Sequence, residues 1–424
     1  MIEMQTPILS LITLFFVIAI SVFQRVNIGF LSLSIAWILG YFIAGLTIPE
    51  VTAGFPISIF IVLVAVSYLF GIAQLNGTLD KLTHYMVQLA KGQKIFLPLI
   101  FFVLAAILST LGVGNIATVA LLAPIAMTMA DRTGIGAFFM TIMLISGANA
   151  GTFSPFAFTG IIADGLVAQI GLSMNPWTQI YLPSLLVQAF IALVCYSIFF
   201  MLRKQALSSE QFSIKEMSPL GAWTQKQILT LIAIVIFIAG VVFLKIDVGL
   251  LAMILGVILT IMGAADGEEA VKTVPWSVVM MVCGVSTLVV VVEKTGGTDI
   301  LITWLAKVSS VHNVTGVMAL ITGIISSYSS SSAVVMPTFI PLVPGLIAKM
   351  GGGDPVALVS SINVGSHVVD VSPLSTLGAL CMASAAQAEN KKRLFYRLMF
   401  YGLSMSLVGA AVSYVFFGLL WNVK

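Results

Sequence analysis

Asp370 is the residue of this chain best placed to do chemistry. It stands in the apolar run Asn363-Val364-Gly365-Ser366-His367-Val368-Val369-Asp370-Val371-Ser372-Pro373, three residues after His367. An ionised side chain in the middle of a membrane-length apolar segment costs about 3 kcal/mol unless it has a partner or a task. The task would be to bind a coupling ion or a proton. The structural alternatives are a pair with His367 on one helical turn, or a cap for the helix that follows the break. A second run, Ser146-Gly147-Ala148-Asn149-Ala150-Gly151-Thr152-Phe153-Ser154-Pro155, is also helical in character and broken by Gly and Pro. At an offset of 218 residues Asn149 aligns with His367 and Thr152 with Asp370. Unwound carbonyls flanked by Asn and Thr oxygens suit Na⁺.

Two further interruptions carry donors for an anion. Gly112-Val113-Gly114-Asn115-Ile116-Ala117-Thr118 breaks the apolar stretch Ile95 to Ala130. Glycine lets the backbone turn there and approach a ligand. The helix arm starting near Asn115 would aim free N–H groups and its positive dipole end at a carboxylate. Ser326-Ser327-Tyr328-Ser329-Ser330-Ser331-Ser332 breaks the stretch Thr315 to Ala348 with hydroxyls that can donate or accept. Close helix packing through small residues is the structural alternative at both tips. The expected substrate contacts are Gly114, Asn115, Ile116, Thr118, Ser330, Ser331 and Ser332, with Ser154, Pro155, Ser372 and Pro373 from the breaks. The expected ion contacts are Asn115, Asn149, Gly151, Thr152, Ser329, Asn363, His367 and Asp370. No Lys or Arg lies near either tip, so a bound cation, Na⁺ or H⁺, would supply positive charge, which favours cation-coupled symport.

The elements that must position these residues are membrane helices. Of 424 residues 59% are hydrophobic and 8% charged, against roughly 25% charged in a soluble domain. Apolar segments of spanning length recur throughout, and the period-2 pattern of an outer-membrane barrel is absent. The fold class is therefore an all-α polytopic membrane protein. Cys195, Cys283 and Cys381 form neither a disulfide framework nor a metal-ligand spacing and read as core residues. The first span, Ile8 to Phe23, lacks a basic region before it and reads as retained rather than as a cleaved signal. Gly29 to Leu46 and Pro56 to Leu75 follow. Leu79 to Lys91 reads as an interfacial amphipathic helix, with Leu79, Leu82, Met86 and Leu89 on one face and Asp80, Lys81, His84, Gln88 and Lys91 elsewhere. After the first tip come Gly134 to Ile170, broken at Gly151 to Pro155, and Trp177 to Met201.

The second half repeats the plan: Gln227 to Leu244, Val248 to Met262, Pro275 to Val292, an amphipathic piece Asp299 to Val308, the serine hairpin, the helix broken near Ser372, and Leu394 to Leu420. Asn27-Ile28-Gly29 matches Asp247-Val248-Gly249, and Asn76-Gly77-Thr78 matches Gly296-Gly297-Thr298, each 220 residues on. Pro124 and Pro341 lie 217 apart, Pro155 and Pro373 218 apart. Residues 1–202 and 227–424 thus read as two repeats joined by a cytoplasmic linker, 203–226. Five crossings plus one re-entrant hairpin per repeat invert the second repeat relative to the first, and its four interruptions converge near the midplane. Loops assigned alternately to two sides give one side only Lys245, Lys294, Lys307, Lys349 and Lys424. The other fourteen of the 19 basic residues, from Arg25 to Arg397, fall opposite. That side is cytoplasmic by the positive-inside rule, leaving both termini outside. An inner (plasma) membrane location follows, with lipid as the surroundings and no nucleic acid as partner.

Ala53-Gly54-Phe55-Pro56, Asn76-Gly77-Thr78, the Asn115 hairpin and Gly151-Thr152-Phe153-Ser154-Pro155 resemble the MatC-like dicarboxylate carrier family, of the superfamily that includes the divalent anion/sodium symporters. The resemblance covers nearly the whole chain and is strongest over 50–160 and 325–380. Those symporters carry Ser-Asn-Thr at each tip; here the tips align as Gly114-Asn115-Ile116 and Ser331-Ser332-Ala333. The resemblance implies a homodimer that moves a dicarboxylate by an elevator motion. The scaffold part would be about 1–75 and 227–292, and the transport part about 94–202 and 312–421. Two rivals stay open. One is a Na⁺/H⁺ antiporter using Asp370, the other an uncoupled anion channel or exporter. Against an enzyme, there is no nucleophile–base pair or metal cluster. The remaining histidines, His84 and His312, fall at membrane edges.

Overall fold

The computed structural model describes residues 2–21, 26–88, 94–207, 221–385 and 390–421. Arg25, Lys91, Lys215, Lys424 and most of the predicted linker lie outside the described residues, as do the side chains of His84 and Lys204. No strand occurs among the described residues. The helices run in the order α1 (Ile2–Ser21), α2 (Ile28–Trp37, extended by a π-helical turn Ile38–Ile43), the short α3 (Ile48–Thr52), α4 (Ile57–Leu75), α5 (Thr78–Gln88), α6 (Leu97–Leu108), α7 (Asn115–Thr133), α8 (Ala137–Gly151), α9 (Phe158–Gln169) and α10 (Leu182–Leu207). The second half holds α11 (Gln225–Leu244), α12 (Val248–Ile261), the short α13 (Gly267–Thr273), α14 (Trp276–Lys294), α15 (Gly297–Val308), α16 (Val314–Ser326), the short α17 (Met336–Phe339), α18 (Val343–Met350), α19 (Pro355–Val368), α20 (Thr376–Ser384) and α21 (Lys391–Ser413). Seven helical segments among the described residues are long and apolar enough to cross a membrane, and shorter apolar helices lie between them. The chain is a multi-pass membrane protein.

Helix ends in so apolar a chain are marked by caps rather than by hydrophobic periodicity. Asn27, Asp247, Asp266, Asp354, Ser375 and Asn390 each accept backbone N–H bonds at a helix start. Thr224 and Gln227 form a capping box at α11. Burial is inverted relative to a soluble protein. Val235 and Phe243 of α11 are 64% and 80% exposed, as lipid-facing residues must be. By contrast, α8 is buried at every position but Phe138, and α19 from Val356 onward. These two enclosed helices end at the two breaks, which is where irregular backbone can be tolerated.

Close approaches through glycine recur at matched places in the two halves. A Cβ on Gly29 would overlap the Met280 backbone, and one on Gly249 would meet Val62; the two pairs are related by offsets of 220 and 218. Thus α2 packs on α14, and α12 on α4. Gly147 seats α8 against the Phe102 backbone of α6, and Gly365, 218 residues on, seats α19 against Ala319 of α16. Gly160 and Gly378, again 218 apart, pack over the carbonyls of Ser154 and Ser372.

On α5, Lys81, which lies off the apolar face, is only 5% exposed. Its Nζ donates to the Ala222 carbonyl at 2.7 Å and to Gln227 Oε1 at 3.2 Å, and lies over the Trp223 ring at 4.9 Å. Tyr85 stacks on Trp223, and Asn76 Nδ2 donates to Thr230 Oγ1 at 2.7 Å. The lysine thus satisfies the Ala222 carbonyl just before α11 and the Gln227 side chain in its first turn, pinning α5 to that helix. Cys283 and Cys381 are buried and Cys195 half-buried beside Tyr401, all three free thiols. His312 is exposed.

Gly29→Val should lower thermal stability in detergent by about 2 kcal/mol or more, because only backbone can yield at that contact. Gly221→Ala, which meets open space, should leave the melting temperature unchanged.

Candidate binding site

All four interruptions meet around Asp370. The first tip turns through Gly112 and Gly114, at φ 114° and 77°, a region that suits glycine. Asn115 opens α7. Its side-chain oxygen accepts the Ile116 N–H at 2.9 Å, and its Nδ2 donates to Asn149 Oδ1 at 2.9 Å. Asn149 Nδ2, at the first break, donates to the His367 carbonyl at 2.8 Å and to Asp370 Oδ2 at 3.0 Å. From the second tip, Ser331 Oγ lies 2.8 Å from Asp370 Oδ1 and 2.6 Å from Ser326 Oγ, which lies 2.7 Å from the Ser366 carbonyl. Ser375 Oγ donates to the Asp370 carbonyl. Asp370 itself is 6% exposed.

A second row runs beside the first. Thr152 Oγ1 donates to Thr159 Oγ1 at 3.0 Å, Thr159 meets Ser332 Oγ at 3.1 Å, and Ser332 meets His367 Nε2 at 3.2 Å. His367 Nδ1 lies 3.0 Å from the Asn363 carbonyl. That carbonyl can only accept, so Nδ1 carries the hydrogen and Nε2 accepts from Ser332. Every member then donates toward Asn363, and the neutral imidazole needs no carboxylate. His367 also sets its ring edge-on to Phe153, with centroids 4.7 Å apart.

The side-chain pair of His367 and Asp370 is not formed. Helix α19 ends at Val368, and the Asp370 N–H turns back to the His367 carbonyl at 3.2 Å. The three-residue spacing therefore spans a turn, and the two side chains take different partners.

The tips border a groove. Cavities of about 290, 350 and 50 Å³ share Ile116, Val278 and Thr376. The largest two reach Gln74 and Thr273 on one side, and Asn27 and Ser277 on the other; the smallest contains Asn115, Ser329 to Ser332 and Asp370. Among the described residues no lysine or arginine lines any of them, and Asp370 is the one charged residue that does. Gly114, Asn115, Ile116, Ser329, Ser330, Ser331, Ser332 and Asp370 thus share one space.

Other expected contacts lie elsewhere. Ser154 donates to the Thr110 carbonyl at 2.6 Å and accepts from the Phe156 N–H, so it braces backbone. Pro155 lines a separate cavity of about 410 Å³ with Asp164, Trp177 and Lys245. Ser372 accepts the Leu374 N–H and touches Met399, and neither it nor Pro373 lines the groove. Gly151 is a packing glycine against α6 and Ser109. Thr118 and Asn363 are buried without a side-chain partner among the described residues and line none of the three cavities. Thr159, Ser375, Thr376 and the facing wall of Phe70 and Val278 were not legible in the sequence. Thr159 sits one turn past a break, a usable signal, whereas the wall residues look like any apolar span.

The fold and this enclosed polar junction define a polytopic membrane protein with a groove beside the junction. Residues 4–152 match the family model described as the dicarboxylate carrier protein MatC N-terminus. The resemblance to MatC-like carriers is borne out over those residues, and that family is one of membrane carriers, not enzymes. The fold is similar to the crystal structure of the Alcanivorax borkumensis YdaH transporter, with a TM-score of 0.57, 15% identity and 88% of each chain covered. No curated protein matches the chain at a significant level.

Asn149→Ala and Ser331→Ala each strip one hydrogen-bond partner from the buried Asp370 carboxyl. Each should cost about 1–3 kcal/mol of thermal stability. The double variant should be non-additive by about 1 kcal/mol, because both partners serve one group; strict additivity would separate them.

Proposed function

We propose that the chain is a secondary active transporter of a small organic dianion, a dicarboxylate, coupled to a cation taken up at Asp370. The observation that carries this reading is the groove itself: both tips and Asp370 of the second break border one space, with Asn149 of the first break bonded to that carboxyl, and among the described residues the space holds amides, hydroxyls and a helix start, one carboxylate and no basic side chain. An anion can be held by such donors. It would be repelled by an ionised Asp370 a few ångströms away in a poorly screened site. Anion and cation are therefore expected to bind together, which is symport. The match of residues 4–152 to a dicarboxylate carrier model supports the substrate class.

Hydrogen counting favours a proton as the cation. The row Asp370, Ser331, Ser326, Ser366 carbonyl has three contacts, at 2.8, 2.6 and 2.7 Å. Its two hydroxyls bring two hydrogens, and an acid proton on Asp370 supplies the third. Na⁺ remains the alternative, drawn to the same oxygens. The antiporter reading keeps Asp370 and omits the anion.

The matched glycine contacts support two inverted repeats of five crossings and one re-entrant hairpin each. Scaffold helices α2, α4, α12 and α14 interlock, and the transport part carries the tips and breaks. The groove reaches the Gln74 end of α4, on the side the positive-inside rule makes cytoplasmic, whereas the Pro155 cavity lies at the Ser58 end. The structure is then the inward-open state of an elevator, expected to work as a homodimer.

Asn115→Ala should cut substrate uptake into proteoliposomes at least tenfold without preventing membrane insertion; unchanged uptake moves the site elsewhere. Asp370→Asn should abolish the pH or Na⁺ dependence of transport. Thermal stability measured with malonate, succinate, malate, fumarate and citrate, each with and without Na⁺ and across pH, tests the substrate class. Stabilisation by a dicarboxylate that grows with Na⁺ or acid is the expected result. A response to Na⁺ or pH with none to any anion would transfer the case to the antiporter.

A further inference from the structure

The first turns of α21 build a second, unrelated pocket. Arg393 and Arg397, one turn apart, line a cavity of about 490 Å³ with Phe138, Tyr396, Phe400 and Ser404. The Arg397 guanidinium lies 4.2 Å from the centre of the Phe138 ring, an arrangement that orients a cation and leaves its edge free to donate. Among the described residues no carboxylate lines the cavity. The nearby Lys391 and Lys392 are exposed and raise the positive potential further. Two guanidiniums a turn apart, without a carboxylate partner among the described residues, match the fork geometry of a phosphate.

What continues the pocket is apolar. Along the same side of α21, at three- and four-residue steps, Phe400, Leu403 and Leu407 are 78%, 38% and 66% exposed. A soluble anion has no use for that ridge, whereas an acyl chain does. Basic residues at a membrane-helix end also favour anionic headgroups. We infer that Arg393 and Arg397 hold the phosphate of an anionic phospholipid whose chain lies along Phe400, Leu403 and Leu407. Charge complementarity and continuity with the apolar ridge select this occupant over a free anion.

The test uses the full-length protein in neutral detergent, with native mass spectrometry and thermal melting. Phosphatidylglycerol should be retained and should raise the melting temperature; phosphatidylcholine and inorganic phosphate should do neither. Arg393→Gln with Arg397→Gln should weaken phosphatidylglycerol binding about 30-fold, at about 1 kcal/mol for each cation near the headgroup. Arg393→Gln alone removes an exposed side chain with no hydrogen bond to the described residues, so it should fold and lose about fivefold. Phe400→Ala, also exposed, should weaken binding while keeping the preference for phosphatidylglycerol over phosphatidylcholine. Equal phosphatidylglycerol binding by wild type and both arginine variants would overturn the site. Stabilisation by inorganic phosphate equal to that by phosphatidylglycerol would replace the lipid with a free anion.

Discussion

A carboxylate enclosed in an apolar bundle has to be compensated by its own chain, and the arrangement of this molecule follows from how Asp370 is compensated. Among the described residues no basic side chain reaches it. Its oxygens are met by an amide from the first break and a hydroxyl from the second tip. Those two partners come from segments more than two hundred residues apart in one case and thirty-nine in the other. Satisfying one side chain therefore fixes the relative position of α7, α8, α19 and the serine tip. The enclosure of α8 and α19 on all sides is the counterpart of that requirement, because irregular backbone at membrane depth needs protein around it.

Much of this was legible in the sequence for identifiable reasons. Helix limits could be read because Asn27, Asp247 and the Gly and Pro residues punctuate an otherwise apolar chain. Asp370 stood out because few carboxylates sit far from any basic loop. The tips were legible as Gly and Ser clusters where a helix would otherwise continue. Rotational detail was not legible. A spacing of three residues suggested that His367 and Asp370 touch, but the helix stops between them, and a spacing rule holds only inside a helix. The burial of Lys81 was not legible for the same kind of reason: local periodicity does not record that a distant segment will lie over it. Ser154 and Ser372 were correctly placed at the breaks, yet they serve the backbone, and whether a hydroxyl turns toward the chain or a cavity is decided by tertiary packing.

The two halves relate to each other by exchange. Each contributes one helix to the other's close-packed pair, α2 to α14 and α12 to α4, and the small residues at those contacts recur at nearly constant offsets. Breaks and tips likewise satisfy each other across the halves. Neither half has a complete set of partners alone.

That exchange has a temporal side. Gly29 and Met280 are 251 residues apart in the chain, so at translation speeds of about 5–20 residues per second the bare face of α2 waits roughly 12–50 s in the bilayer for the helix that covers it. During that interval its glycine surface is open to any other small-residue helix inserting nearby. Biogenesis of this protein therefore has a vulnerable window, set by the order in which its helices leave the ribosome.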